Sequence, residues 1–299
     1  MLVASSVLGQ DKAITILGAG FDSSLYVTED GSITKLITLP EMIFNRGQYE
    51  LSPDRQLVAA ISSAKGFSQN AKGQFFVDHK LLVISLDGSI LHEIPNAQTF
   101  AWSPDSKRIA YVSGVDLEGF GFVSKSINIL DVKSGATKTF PALNDYDLSW
   151  APFDKMLYTT NYLTVYQINP SNGNRHKTDY RGIYFSHDGR YYFKPNYEGG
   201  SFGVYERSSN KEITEQVLAD SISGLAFQQW IPGSNTLIVG SILGTKKVVD
   251  VNRKVTIQSI AGNVIGFDAT RKELILLKKD HPSVTPAEAS VQRIAVKLR

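Results

Sequence analysis

The chain has no cysteine, which excludes disulfides, thiolate metal sites and a cysteine nucleophile together. It also lacks long apolar runs. None approaches the roughly 20 residues that span a bilayer, so membrane insertion is not expected. The opening residues MLVASSVLGQ carry no basic segment ahead of their short apolar stretch, so no signal peptide is visible. Charge of either sign is not in excess. With 31 basic and 29 acidic side chains and a net charge of +2, no bulk field calls for DNA, RNA or an anionic membrane.

Histidine is scarce, and His79, His92, His176, His187 and His281 have no second histidine or carboxylate at metal-motif spacing. No segment follows the alternating oxygen pattern of a calcium loop, and no glycine-rich phosphate loop leads into a helix. Neither a metal nor a cofactor is expected.

What is present is a turn-rich composition, 42% apolar and 10% aromatic with 24 glycines, which suits a folded β protein. A unit recurs along it. The copy TFAWSPDSKRIAYVSG, residues 99 to 114, aligns with QYELSPDRQLVAAISS, so that Ser52-Pro53-Asp54 lies under Ser103-Pro104-Asp105. Weaker copies follow at Ala151, Ser186, Ile231 and Asp268, and a degenerate one precedes them near Gln10-Asp11-Lys12. The six clear anchors are 35 to 51 residues apart, in the range of propeller blades.

Each unit reads as strand, tight turn, strand, loop, strand, hairpin, strand. Ser-Pro-Asp suits the tight turn because proline fixes φ while serine and aspartate bond nearby backbone. The hairpin recurs as Asp30-Gly31, Asp87-Gly88, Ser134-Gly135 and Asn172-Gly173, pairs that tolerate positive φ. Runs such as LLVIS (81 to 85) and RIAYVS (108 to 113) are apolar on both faces, so each sheet must be sandwiched between others. The pattern predicts an all-β propeller of four-stranded antiparallel blades, seven in number with six as the alternative. Residues 1–299 are expected to form one domain. Met1 to Leu39 is expected to pair with the C-terminal strand near Val291 to Leu298 and close the ring.

The motif WSPDSKRIAYVS, Trp102 to Ser113, resembles the repeat of TolB-like propellers, seen also in the propeller domains of prolyl-oligopeptidase-type peptidases. SLYVTEDGSITKL, Ser24 to Leu36, is similar to the closing hairpin of that repeat. The chain departs from the pattern at Phe153, Pro232-Gly233 and Ala269-Thr270, and it lacks the Gly-His and Trp-Asp dipeptides of Trp-Asp repeats. The resemblance implies a periplasmic or secreted protein, with a cytoplasmic one as the alternative. It leaves open three functions: a non-catalytic scaffold that binds a protein, peptide or glycan; a lyase or hydrolase at the ring centre; and a structural subunit of a surface assembly.

Individual residues are read in that frame. Gly199-Gly200-Ser201-Phe202-Gly203 matches a nucleophile elbow, but an elbow needs a following helix and VYER reads as a strand. Asp54, Asp105 and Asp188 are assigned to turns, and Trp102, Trp150 and Trp230 to the core. The candidate site lies in the loops between second and third strands. From anchor to hairpin is 35 residues after Ser52 and 31 after Ser103, but 21 after Ala151, so Ala64 to Lys80 and Gly114 to Lys125 are insertions. They carry Phe67, Phe75, Phe76, His79, Asp116, Glu118, Phe120 and Phe122, and neighbouring connections add Tyr146, Tyr180 and Arg181. Rigid scaffolds concentrate function on such loops, so these residues are expected to bind the partner; the alternative is that the two insertions only cover each other and cap the blade ends.

Overall fold

The computed structural model describes residues 14–18, 24–29, 32–40, 42–64, 68–69, 75–76, 78–117, 121–161, 164–195, 202–218, 227–231, 233–240, 245–261, 263–268, 272–278 and 290–296. Strands β1 (Ile14–Gly18), β2 (Ser24–Glu29) and β3 (Ser32–Thr38) form a first, three-stranded sheet. The second sheet has the order β4-β5-β8-β9, from β4 (Met42–Leu51), β5 (Leu57–Ala64), β8 (His79–Ser85) and β9 (Ile90–Pro95). Between its middle strands, β6 (Ser68–Gln69) and β7 (Phe75–Phe76) make a separate hairpin.

The third sheet is β10 (Ala97–Trp102), β11 (Arg108–Leu117), β12 (Gly121–Asp131) and β13 (Thr137–Pro141), in that order. The fourth is β14 (Asp147–Trp150), β15 (Leu157–Asn161), β16 (Thr164–Ile168) and β17 (Arg175–Lys177). In the fifth, β18 (Tyr184–Phe185), β19 (Tyr191–Lys194), β20 (Gly203–Glu206) and β21 (Lys211–Glu212) precede a one-turn helix α1 (Thr214–Val217). The sixth holds β22 (Phe227–Trp230), β23 (Thr236–Gly240), β24 (Thr245–Asp250) and β25 (Val255–Ala261). The last has three strands, β26 (Asn263–Asp268), β27 (Glu273–Lys278) and β28 (Ser290–Ala295).

Every described ladder is antiparallel, and each of the six clear anchors lies where the first strand of a unit turns toward the second. This is a propeller, but the expected count of blades is corrected. Five sheets have four strands, not seven or six. Counting anchors treated every unit as complete, whereas the two terminal sheets hold three described strands each.

The predicted closure rests in part on residues 1–13, which lie outside the described residues. β28 pairs with β27 from Glu273↔Ala295 to Lys278↔Ser290, on the far side of β27 from β26. β1 lies instead beside β26 and β4. Among the described residues the first and last sheets meet where β1 runs beside β26.

Both faces of the inner sheets are dry, as the unbroken apolar runs require. Leu25 of the first sheet meets Val58 and Ile84 of the second, whose other face sets Ile61 and Leu81 against Trp102 and Ile109. The pattern continues with Val112 against Trp150, Tyr158 against Tyr192, Val204 against Leu237 and Ile238 against Leu274. Each such side chain contributes about 1.5–3 kcal/mol when fully buried, so a sheet removed from the stack would lose two apolar faces at once.

The turn chemistry explains why the anchors recur. Ser103 Oγ donates to Asp105 Oδ1 at 2.6 Å and accepts from Arg108 N at 2.9 Å. Ser52 and Asp54 repeat the pair at 2.6 Å, and Ser186 and Asp188 at 3.0 Å. The residue after the aspartate is left-handed in each turn, at φ 60° for Arg55, 59° for Ser106 and 70° for Gly189. Asp54, Asp105 and Asp188 are thus turn residues.

Candidate functional site

The two insertions rise from the same end of adjacent sheets, opposite the Ser-Pro-Asp turns, because they join second strands to third. In the second sheet Ser63 and His79 face each other across the β5–β8 ladder, with Ser63 Oγ and His79 Nδ1 2.8 Å apart. The ladder runs one step further through Ala64 N to Asp78 O at 2.9 Å. In the third sheet β11 and β12 extend the ladder into the insertion, paired from Gly114↔Ser124 to Leu117↔Gly121, so its described residues form strands rather than a loose loop. A register shift at Ser113/Gly114 re-aims this extension relative to the blade below it.

A polar ladder stiffens its base. Ser113 and Ser126 hydroxyls are 2.7 Å apart, and Asn128 Nδ2 donates to both at 3.1 and 3.0 Å. Thr139 Oγ1 in turn donates to Asn128 Oδ1 at 2.8 Å. Buried groups satisfied in this way rigidify what they carry.

The bases of the two insertions are tied together by Asn96, in the connection between the second and third sheets. Its N–H donates to the His79 carbonyl at 2.7 Å, and its carbonyl accepts from Gly114 N at 3.0 Å. Asn96 takes φ 60°, a left-handed value that asparagine tolerates better than most residues. Beyond this bridge, β7 runs beside β11. Hairpin and extension therefore form a continuous ridge across two sheets.

The expected site residues divide on this geometry. His79 stands at the base of the ridge, Phe75 and Phe76 are in β7, Asp116 is in β11, and Phe122 is in β12. Phe67, Glu118 and Phe120 lie outside the described residues. Tyr146 is half-buried in the next connection, its N–H on the Thr160 carbonyl at 3.0 Å. Beside it Asp145 is fully buried and accepts from Arg175 Nη2 at 2.8 Å, Leu143 N at 2.8 Å and Thr159 Oγ1 at 3.0 Å. That lock spans 30 residues of sequence and left no local signal.

Tyr180 and Arg181 are not on the ridge. The connection from β17 to β18 runs into the gap between the fourth and fifth sheets, where Tyr180 packs 5.3 Å from Tyr192 and 5.7 Å from Phe185 between ring centroids. Arg181 N donates to the Tyr192 hydroxyl at 3.4 Å. Tyr180 there lines a cleft of about 340 Å³ with Tyr158, Gln167 and the β20–β21 turn. No local sequence signal marks this cleft, since its walls come from four separate segments of ordinary polarity.

Elsewhere, Ser201 lies outside the described residues, and the segment after it is strand β20 rather than the helix an elbow requires. Among the described residues no group of three or more His, Cys, Asp or Glu side chains is arranged to hold a metal ion. On inner strand β4, desolvation pushes the Glu50 carboxyl up to about 7.

No family model and no curated protein matches the chain. Solved chains that resemble it number 677, so the likeness identifies an architecture and not an activity. One of them is described as dihydro-heme d1 dehydrogenase NirN in complex with DHE. It is 16% identical over 88% of this chain, with a TM-score of 0.52. The match spans 58% of the length of that protein. At this identity the similarity shows a shared fold.

Proposed function

We propose that this chain is a non-catalytic propeller scaffold that recognises a protein, peptide or glycan partner on the ridge formed by the two insertions. The observation that carries the reading is the Asn96 bridge from His79 to Gly114. It fixes loops of two blades against each other, which reduces the ordering cost that a partner would otherwise meet on binding. The aromatic residues Phe75, Phe76, Phe120 and Phe122 are the anchors, in keeping with the weight aromatic side chains carry at interfaces.

A Phe120→Ser, Phe122→Ser double variant compared with the unmodified protein on peptide and glycan arrays tests this. Loss of the bound features at an unchanged melting temperature is expected. Undiminished binding, or loss of folding, would overturn the assignment. The TolB-like character of Trp102 to Ser113 supports a periplasmic or secreted setting, which cell fractionation checks directly.

A further inference from the structure

The cleft between the fourth and fifth sheets has the chemistry of a small-ligand site independent of the ridge. Arg207 is its cationic wall. The guanidinium stacks on Phe153, 4.3 Å from the ring centroid, and Nε donates to the Gly189 carbonyl at 2.5 Å. Both contacts set the plane of the fork without using its Nη groups, which bond to none of the described residues. A planar pair of donors fixed in this way matches two oxygens of a carboxylate or phosphate. Ser208, next in the turn, is exposed and makes no hydrogen bond among the described residues, so its hydroxyl is available to the same oxyanion.

The rest of the cleft suits a hydroxylated body. Tyr180 gives the aromatic wall against which a sugar ring can pack, its ring backed by that of the buried Tyr158 with centroids 6.2 Å apart. The Tyr158 hydroxyl donates to Asp154 Oδ2 at 2.8 Å and accepts from Gln167 Nε2 at 2.7 Å. Burial, reinforced by that bond to Asp154, raises the phenol well above its ordinary pKa, so it stays a neutral donor. Asp179 is exposed at the mouth and offers acceptors to hydroxyl groups. The turn is clamped in place by Asn210, whose Nδ2 donates to the Asp179 carbonyl at 2.6 Å and whose Oδ1 accepts the Tyr192 hydroxyl. The volume of about 340 Å³ falls at the small end of ligand sites.

We propose that this cleft binds a small hydroxylated oxyanion, a sugar acid or a sugar phosphate, with Arg207 and Ser208 reading the anionic group and Tyr180 the sugar face. The test is titration calorimetry of the full chain with glucose 6-phosphate, glucuronate, glucose and inorganic phosphate. One of the two acidic sugars binds at least tenfold more tightly than glucose and than inorganic phosphate, and the tighter of the two identifies the source. Ser208→Glu places a like charge in the cleft without removing any protein contact. It weakens binding roughly 10- to 100-fold, the range expected for losing a charge-assisted hydrogen bond, with no change in melting temperature. Equal binding of inorganic phosphate and the sugar phosphate would reduce the cleft to a bare anion site. Binding of neither acid, or full binding by the Ser208→Glu variant, would overturn the proposal.

Discussion

The indole Nε1 of Trp150 donates a 3.0 Å hydrogen bond to the carbonyl oxygen of Ala101, on the inner strand of the preceding sheet. The same latch recurs from Trp102 to the Glu50 carbonyl at 3.4 Å and from Trp230 to the Tyr184 carbonyl at 2.9 Å. Each acceptor stands two residues before a Ser-Pro-Asp-type anchor, so the latch belongs to the repeat. In the fifth sheet Phe185 takes the tryptophan place and has no donor. It packs edge-on against Phe153 instead, at 5.4 Å.

Trp150→Phe keeps most of the ring but removes the indole donor, while the Ala101 carbonyl stays in the β10–β11 ladder opposite Ala110. The expected loss is about 0.5–1.5 kcal/mol, the net contribution of one hydrogen bond. Trp102→Ala removes the whole ring from between two sheets, and about 3–5 kcal/mol is expected. Urea unfolding of both variants checks the order. Equal losses would mean that the hydrogen bond, not the packed volume, dominates.

Gly189 and Gly233 separate backbone strain from steric conflict. Both take positive φ, +70° and +73°, but a Cβ on Gly189 would lie 2.3 Å from Phe153 Cδ1, while one on Gly233 meets nothing within 4 Å. Gly233→Ala is expected to cost about 1–2 kcal/mol, the left-handed penalty alone. Gly189→Ala costs more because Phe153 must move, and the moved ring releases its stack with Arg207. Denaturant midpoints at unchanged slope measure the difference.

The turns and latches were legible because they are written in local residues. Ser-x-Asp specifies its own hydrogen bonds within five positions, and an indole among apolar neighbours reads as core wherever the chain goes. The count of complete blades was not legible, since an anchor marks one turn and says nothing of whether a fourth strand follows. The insertions were correctly read as added length, yet their form as a paired β11–β12 extension depends on the register of Gly114↔Ser124. The packing of Tyr180 was not legible for a similar reason. A tyrosine between sheets can cap an end or enter a gap, and only the packing of Phe185 and Tyr192 decides which.

Asp188 gives the protein an acid-sensitive contact between the fifth and sixth sheets. Desolvation alone would raise its carboxyl, but hydrogen bonds from Asn235, Arg190 and Ser186 outweigh it and hold the group well below its ordinary value. A depressed folded pKa contributes stability that is present above the unfolded value of about 3.9 and is lost as pH falls through the folded one. Asp188→Asn is expected to flatten the decline of the unfolding midpoint below pH about 4. A decline as steep as in the unmodified protein would show that Asp188 does not carry it.

Glu50 acts with the opposite sign at higher pH. Desolvation by the protein crowded around it pushes its carboxyl from the ordinary 4.5 to about 7, although the side chain keeps solvent contact. That contact screens the effect, so its size falls short of full burial. A carboxyl with a raised folded pKa binds more protons in the folded state across this window. Folding stability therefore falls as pH rises from about 4.5 to about 7 and stays low above it. Glu50→Gln mimics the protonated form, and it is expected to remove this fall and stabilise the protein at neutral pH. Its backbone carbonyl remains to receive Trp102, so the latch is undisturbed. Thermal melts from pH 4 to pH 8 on both proteins make the comparison. A parallel fall in the variant would place the titrating group elsewhere, while a variant less stable at every pH would mean that the ionised carboxylate holds a contact of its own.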